Sequence, residues 1–212
     1  MIGWIVLAIV LVAARATAGT DRPTNRPEDR PVEPLPDPEP EGGLSEALAA
    51  AGVTGDLAIF FRAVAYTESR GRRTARNTTA SEAKAALKGY TRLAQQGPLP
   101  FPADRYTWGS GGWFGLLPSS AVSGARDMDP LEAVFGERDH TQPIRAAIRY
   151  ARRLQGWNQW KASPRDWATL RRGWALPTKM HKKLPATDAR FLAALKAIGA
   201  PAGFEKRKAV IP

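Results

Sequence analysis

From Leu44 onward, apolar residues recur at helical spacing and no stretch alternates as a half-buried strand would. Leu57, Phe60, Phe61 and Val64 mark one face of a helix that Asp56 is placed to cap, with Glu68 on the same face and Gly71 as the stop. Ser81 to Gln96, rich in Ala, Lys and Leu, is a second predicted helix. Thr141-Gln142-Pro143 opens a third, with Ile144, Ala147, Ile148, Ala151 and Leu154 inward and Gly156 at its end. Its arginines 145, 149, 152 and 153 point away from that face. Asp166 to Arg172 reads as a short helix before Gly173. Thr187-Asp188 opens a fifth, with Phe191, Leu192, Leu195 and Ile198 inward and Gly199-Ala200-Pro201 closing it. The expected fold class is all-α, and no internal repeat is present.

Two segments precede this region. Ile2 to Ala14 is an uncharged apolar run, short of the roughly 20 residues that a spanning helix needs unless Arg15 to Gly19 extend it. Ala16-Thr17-Ala18 suits signal cleavage, yet no Lys or Arg precedes the run. Residues 1–19 are therefore expected to be a membrane anchor or an export signal. Residues 20–43 carry seven prolines between Pro23 and Pro40 among Asp, Glu and Arg, the composition of an extended linker. The remaining expected unit is a single domain over 44–212.

Composition narrows the chemistry. The chain has 212 residues and is 43% hydrophobic, which fits a globular domain with tails. It contains no Cys and two His, so a thiol nucleophile, a disulfide framework and a Cys-ligated metal are excluded, and no metal or cofactor is expected. His140 and His181 stand alone and read as surface or cap residues. Residues 1–43 hold four Arg and seven Asp+Glu. That leaves 27 basic and 13 acidic side chains for 44–212, a net charge of +14. Such a domain suits an anionic partner, either a cell wall or nucleic acid. No nucleic-acid motif is apparent, and Thr107 to Gly112 lacks the ending and preceding strand of a phosphate loop.

Glu68 carries the main chemical argument. It lies on an apolar face and in the last turn of its helix, where desolvation and the helix dipole both favour the protonated acid. A carboxyl that keeps its proton near neutrality is the general acid that glycosidic cleavage requires. The other reading is a helix-end carboxylate paired with Arg70, Arg72 or Arg73. Asp104, Asp127 and Asp129 are the candidates for a second carboxylate, but Asp129 precedes Pro130 and reads as a cap. Ser119 and Ser120 read as caps after Pro118. Trp157, Trp160 and Trp167 read as packing residues, whereas Trp113 and Trp174 divide between cleft and core.

Glu68-Ser69-Arg70-Gly71 resembles the Glu-Ser motif of the lysozyme-like lytic transglycosylases. The stretch from Gly109 to Ala121, with Gly111-Gly112-Trp113-Phe114-Gly115 at its centre, is similar to the glycine motif that follows in that family. Asp129-Pro130, a helix ending near Arg149-Tyr150, and Leu170-Arg171-Arg172-Gly173 continue the order, so the resemblance covers about residues 55–178. Two departures stand out: the family's cleft Gln falls on Gly115, and its Tyr falls on Leu170, with Trp174 or Tyr106 as spatial substitutes.

The resemblance implies a lysozyme-like domain that cleaves the β-1,4 bond between N-acetylmuramic acid and N-acetylglucosamine and leaves a 1,6-anhydro product. Glu68 would be its acid and base. Ser69, Tyr106, Gly112, Trp113, Phe114, Gly115 and Trp174 would contact peptidoglycan. The setting would be a bacterial envelope or a bacteriophage virion, with the domain facing the wall. A wall-binding module without catalysis, or a membrane-tethered nucleic-acid binder, are the alternatives.

Overall fold

The computed structural model describes residues 43–212. The expected anchor and nearly all of the Pro-rich linker lie outside the described residues. Among these residues the architecture is all-α, with nine α-helices, three short 3-10 turns and only isolated β-bridges. None of these helices is long and apolar enough to cross a membrane.

The centre of the core is α2 (Gly55–Ser69). Its Leu57, Phe60, Phe61, Ala63, Val64, Ala65 and Tyr66 are all buried, because apolar or small side chains occupy most of its circumference. Thr54 stands at its N-cap without a side-chain bond, so Asp56 is not the cap. The Asp56 carboxylate instead accepts from Arg207 Nη1 at 3.1 Å. At the other end Arg70 and Gly71 both take left-handed φ, of 57° and 78°, which turns the chain out of the helix directly after Ser69.

The other long helices surround α2. α3 (Ala80–Ala94) is capped one residue earlier than expected, with Thr79 Oγ1 accepting from Glu82 N. α6 (Thr141–Gln155) buries Ile144, Ala147, Ala151 and Leu154 as its periodicity requires. Its N-cap position is His140, which makes no side-chain cap bond; Asp139 just before it accepts from Thr141 N, Thr141 Oγ1 and Gln142 Nε2. Two of its arginines leave the solvated face. Arg149 donates to Ala121 O, and Arg153 lies over the Tyr150 ring.

α8 (Trp167–Ala175) is capped by Asp166, which accepts from Thr169 N at 2.7 Å. It runs through Gly173 rather than stopping before it. α9 (Pro185–Ala197) packs on α2 and α8 and buries Phe191 and Leu195. Asp188 does not cap it but accepts from Arg172 Nε at 2.7 Å, and Leu192, expected inward, is 48% exposed.

Four short helices complete the fold: α1 (Leu44–Ala50), α4 (Pro118–Ala121), α5 (Pro130–Phe135) and α7 (Asn158–Lys161). Pro118 is the first residue of α4, so Ser119 and Ser120 lie inside that helix instead of capping one. Asp129 caps α5 by accepting from Leu131 N, as its position before Pro130 predicts. Trp160 and Trp167 are core residues, whereas Trp157 is only partly buried.

Candidate active site

Two adjoining cavities of about 710 and 660 Å³ share Thr67, Glu68, Asn77, Ser110 and Gly115. Together they form a two-armed groove with Glu68 at the junction. One arm is bordered by α3, α6, α8 and α9 and presents Trp174, Tyr150, Trp157, Arg153 and Glu82. The other follows the turn after α2 and presents Ser69, Arg70, Arg72 and Arg76 beside Gly111 and Gly112.

The loop over Glu68 is fixed by three side-chain bonds. Ser69 Oγ lies 2.9 Å from both Ala65 O and Trp113 O, which joins the end of α2 to the glycine stretch. Trp174 Nε1 donates to Phe114 O at 3.0 Å and reaches the same stretch from α8. Ser110 N donates to Glu82 Oε2 at 3.3 Å, which ties it to α3. Backbone bonds from Gly112 N to Ala75 O, Asn77 N to Ser110 O and between Gly111 and Leu116 complete the hold. Arg76 stacks 4.3 Å from the Trp108 ring centre and 5.0 Å from that of Phe135.

Glycine is required where this loop meets Glu68. Gly115 has φ 59°, and a Cβ there would lie 2.9 Å from Glu68 Oε2 and 3.2 Å from Glu68 Cβ. Gly112 has φ 69°, and its Cβ would fall 2.0 Å from Val134 O. Gly115 thus allows backbone to pass directly beside the carboxyl group, while Gly112 lets the loop lie against the backbone of Val134 in α5.

Glu68 is paired, but not with its neighbours in sequence. Arg171 Nη2 of α8 donates to Glu68 Oε1 at 2.7 Å. Arg72 donates to Ser69 O, and Arg73 to Phe135 O and Gly136 O. The Glu68 side chain keeps 27% of its exposure and the Arg171 side chain 6%. Burial pushes the Glu68 carboxyl above its usual range and outweighs the opposing pull of Arg171, while Glu82 raises it further.

The expected contact residues separate into two groups. Glu68, Ser69, Gly112, Gly115 and Trp174 border the groove. Ser69 is itself buried, and its hydroxyl is spent on the loop. Tyr106, Trp113 and Phe114 do not border the groove. Each is buried in the core, Tyr106 against Tyr90 and Trp113 against Phe114. Their bulk anchors the loop from behind, and the small residues between them face the groove.

Leu170, expected from the resemblance to stand in place of a Tyr, is also buried, and its neighbour Arg171 reaches Glu68. Sequence reading missed Arg171, Glu82, Tyr150 and Arg153 among the groove residues, and Trp157, expected as a packing residue, also borders the groove. No local signal marked Arg171, whose partner lies 103 positions away. Asp104, Asp127 and Asp129 are absent from the groove lining. Among the described residues no group of three His, Asp or Glu side chains is placed to hold a metal. His140 sits at the start of α6 with its ring edge-on to Trp113, and His181 is exposed.

Comparisons with protein-family models, with curated proteins and with solved structures find no match to this chain.

Proposed function

We propose that this chain is a peptidoglycan lytic transglycosylase with Glu68 as its general acid and base. The observation that carries the reading is the position of Glu68. A carboxyl whose proton is favoured by burial stands where two arms of one groove meet. A glycan strand laid through both arms would present a glycosidic oxygen to it.

In the first step the Glu68 proton passes to the leaving oxygen as the C1–O bond breaks. The substrate's own N-acetyl carbonyl supports the cationic carbon. Glu68, now a carboxylate, takes the proton of the 6-hydroxyl while O6 bonds to C1, which leaves an anhydro end and the enzyme as it began. This route needs one carboxyl group. Hydrolysis would ask for a second, and in this groove that role would fall to Glu82. Trp157, only partly buried, supplies an aromatic surface for a sugar ring, with the edges of the buried Trp174 and Tyr150 beside it. The net charge of +14 on 44–212 favours an anionic wall. Residues 1–19 would hold the domain at a membrane, in a bacterial envelope or a phage virion.

The test is fragment release from purified peptidoglycan by the full chain and by Glu68→Gln, read by mass spectrometry. Anhydro-ended fragments from the parent and none from the variant are expected. Reducing ends would make the protein a hydrolase. No release on walls from several hosts would sink the enzymatic reading. A wall-binding module without catalysis would then take its place, a reading favoured by the 2.7 Å contact from Arg171, which opposes the protonated form that the acid step needs.

A further inference from the structure

A group that gives up a proton and then removes one from the same substrate must hold that proton neither too tightly nor too loosely. Opposing effects meet at Glu68. Burial favours the neutral acid and Glu82 of α3 adds to it; Arg171 of α8 and Arg190 of α9 favour the carboxylate. Tyr150 of α6 is a further titratable group that senses Glu68. Among these, Arg171 makes the 2.7 Å contact to Oε1.

Arg171 is enclosed in a way that only this contact explains. Its Nε and Nη1 are buried without a partner. Asp188 also favours the Arg171 charge, but its carboxylate is engaged by Arg172, and Arg190 repels Arg171. A guanidinium this deeply buried is costly unless an acceptor lies against it, and the acceptor it meets is Glu68 Oε1. Glu68 Oε1 is held by Arg171, while Oε2 is the oxygen beside the backbone of Gly115.

We propose that Arg171 is a positioning residue for Glu68, holding Oε1 so that Oε2 meets the glycosidic oxygen and keeping the group able to return to carboxylate for the second proton transfer. The role rests on the transglycosylase reading for its chemistry. Arg171 itself neither gains nor loses a proton. The proton on Oε2 goes to the leaving oxygen as C1–O breaks, and Oε2 recovers one from the 6-hydroxyl as O6–C1 forms. Without Arg171, burial is opposed only by the weaker pull of Arg190, and the acid becomes too weak to donate readily.

The experiment follows the Glu68 carboxyl carbon by 13C NMR in the full chain, with the signal assigned by its loss in Glu68→Gln. In Arg171→Met the Glu68 titration should move upward by about one to three pH units. Arg171→Lys, which keeps the charge, should restore most of the parent titration. In parallel, anhydro-product release by Arg171→Met should show kcat at least tenfold down with KM little changed. The alkaline limb of its kcat/KM profile should move upward together with the NMR titration.

Thermal melts accompany each variant, and Arg171→Gln replaces Arg171→Met if the latter is unfolded. A Glu68 titration that stays in place in a folded neutral variant overturns the role of Arg171, whether or not activity is lost. Absence of product from the parent protein strikes instead at the transglycosylase reading. The two failures are therefore distinct.

Discussion

At the scale of single residues, the site depends on what is missing at position 115 as much as on what is present at 68. A methyl group at Gly115 would meet Glu68 Oε2 at 2.9 Å, and the backbone there is left-handed. Gly115→Ala should therefore cost about 1–2 kcal/mol of stability and should reduce wall cleavage far more than that loss explains. Thermal melts beside fragment-release assays separate the two effects. Asp139 provides a second test. Its bonds to Thr141 and Gln142 hold its carboxyl below the ordinary aspartate range. A lowered folded-state value means that the stabilisation is present at neutral pH and is lost as pH falls through that value. Asp139→Ala should cost about 1 kcal/mol at pH 7, and the gap from the parent should close in acid denaturation. Glu68 was legible in the sequence because its apolar helical face and its place in the last turn are local facts. Arg171 was not, because its contact spans 103 positions and nothing local separates it from Arg172, which turns to Asp188.

At the scale of elements, the long helices could be read and the short ones could not. α2, α3, α6 and α9 each give at least three turns of periodic burial, enough for a pattern to stand out. α1, α4, α5 and α7 have seven residues or fewer, too short for periodicity to show. Capping was less legible than existence. Asp56 and Asp188 look like caps by residue type, yet tertiary arginines claim both. α8 passes through Gly173 because Met180 packs against that glycine, with its Cε 2.9 Å from where a Cβ would stand. The element on which most depends is α2, with Phe60 fully buried between Trp167, Trp174 and Phe191. Phe60→Ala should cost about 3–5 kcal/mol, measurable by urea unfolding, and should disturb the groove through Trp174.

At the scale of the molecule, charge and aromatic packing are the properties that no single element explains. Under the proposed function, the excess of 14 positive charges over 44–212 should make wall binding sensitive to salt. Pelleting with purified peptidoglycan should weaken severalfold between low and physiological ionic strength. A groove-centred grip on sugars alone would change little over that range. The aromatic residues form a continuous chain. Phe204 stacks on Trp167, Trp167 lies 5.0 Å from Phe60, Phe60 touches Trp174, and Trp174 meets Tyr150 edge-on at 4.9 Å. One end of that chain is sealed in the core and the other borders the groove. The protein therefore carries its own optical reporter of occupancy. A ligand entering the groove changes the surroundings of the Trp174 indole while Trp167 stays in the dark interior. The emission change on adding glycan should vanish when Trp157 and Trp174 are both replaced by Phe and persist in Trp167→Phe, which turns an architectural detail into a binding assay free of any label.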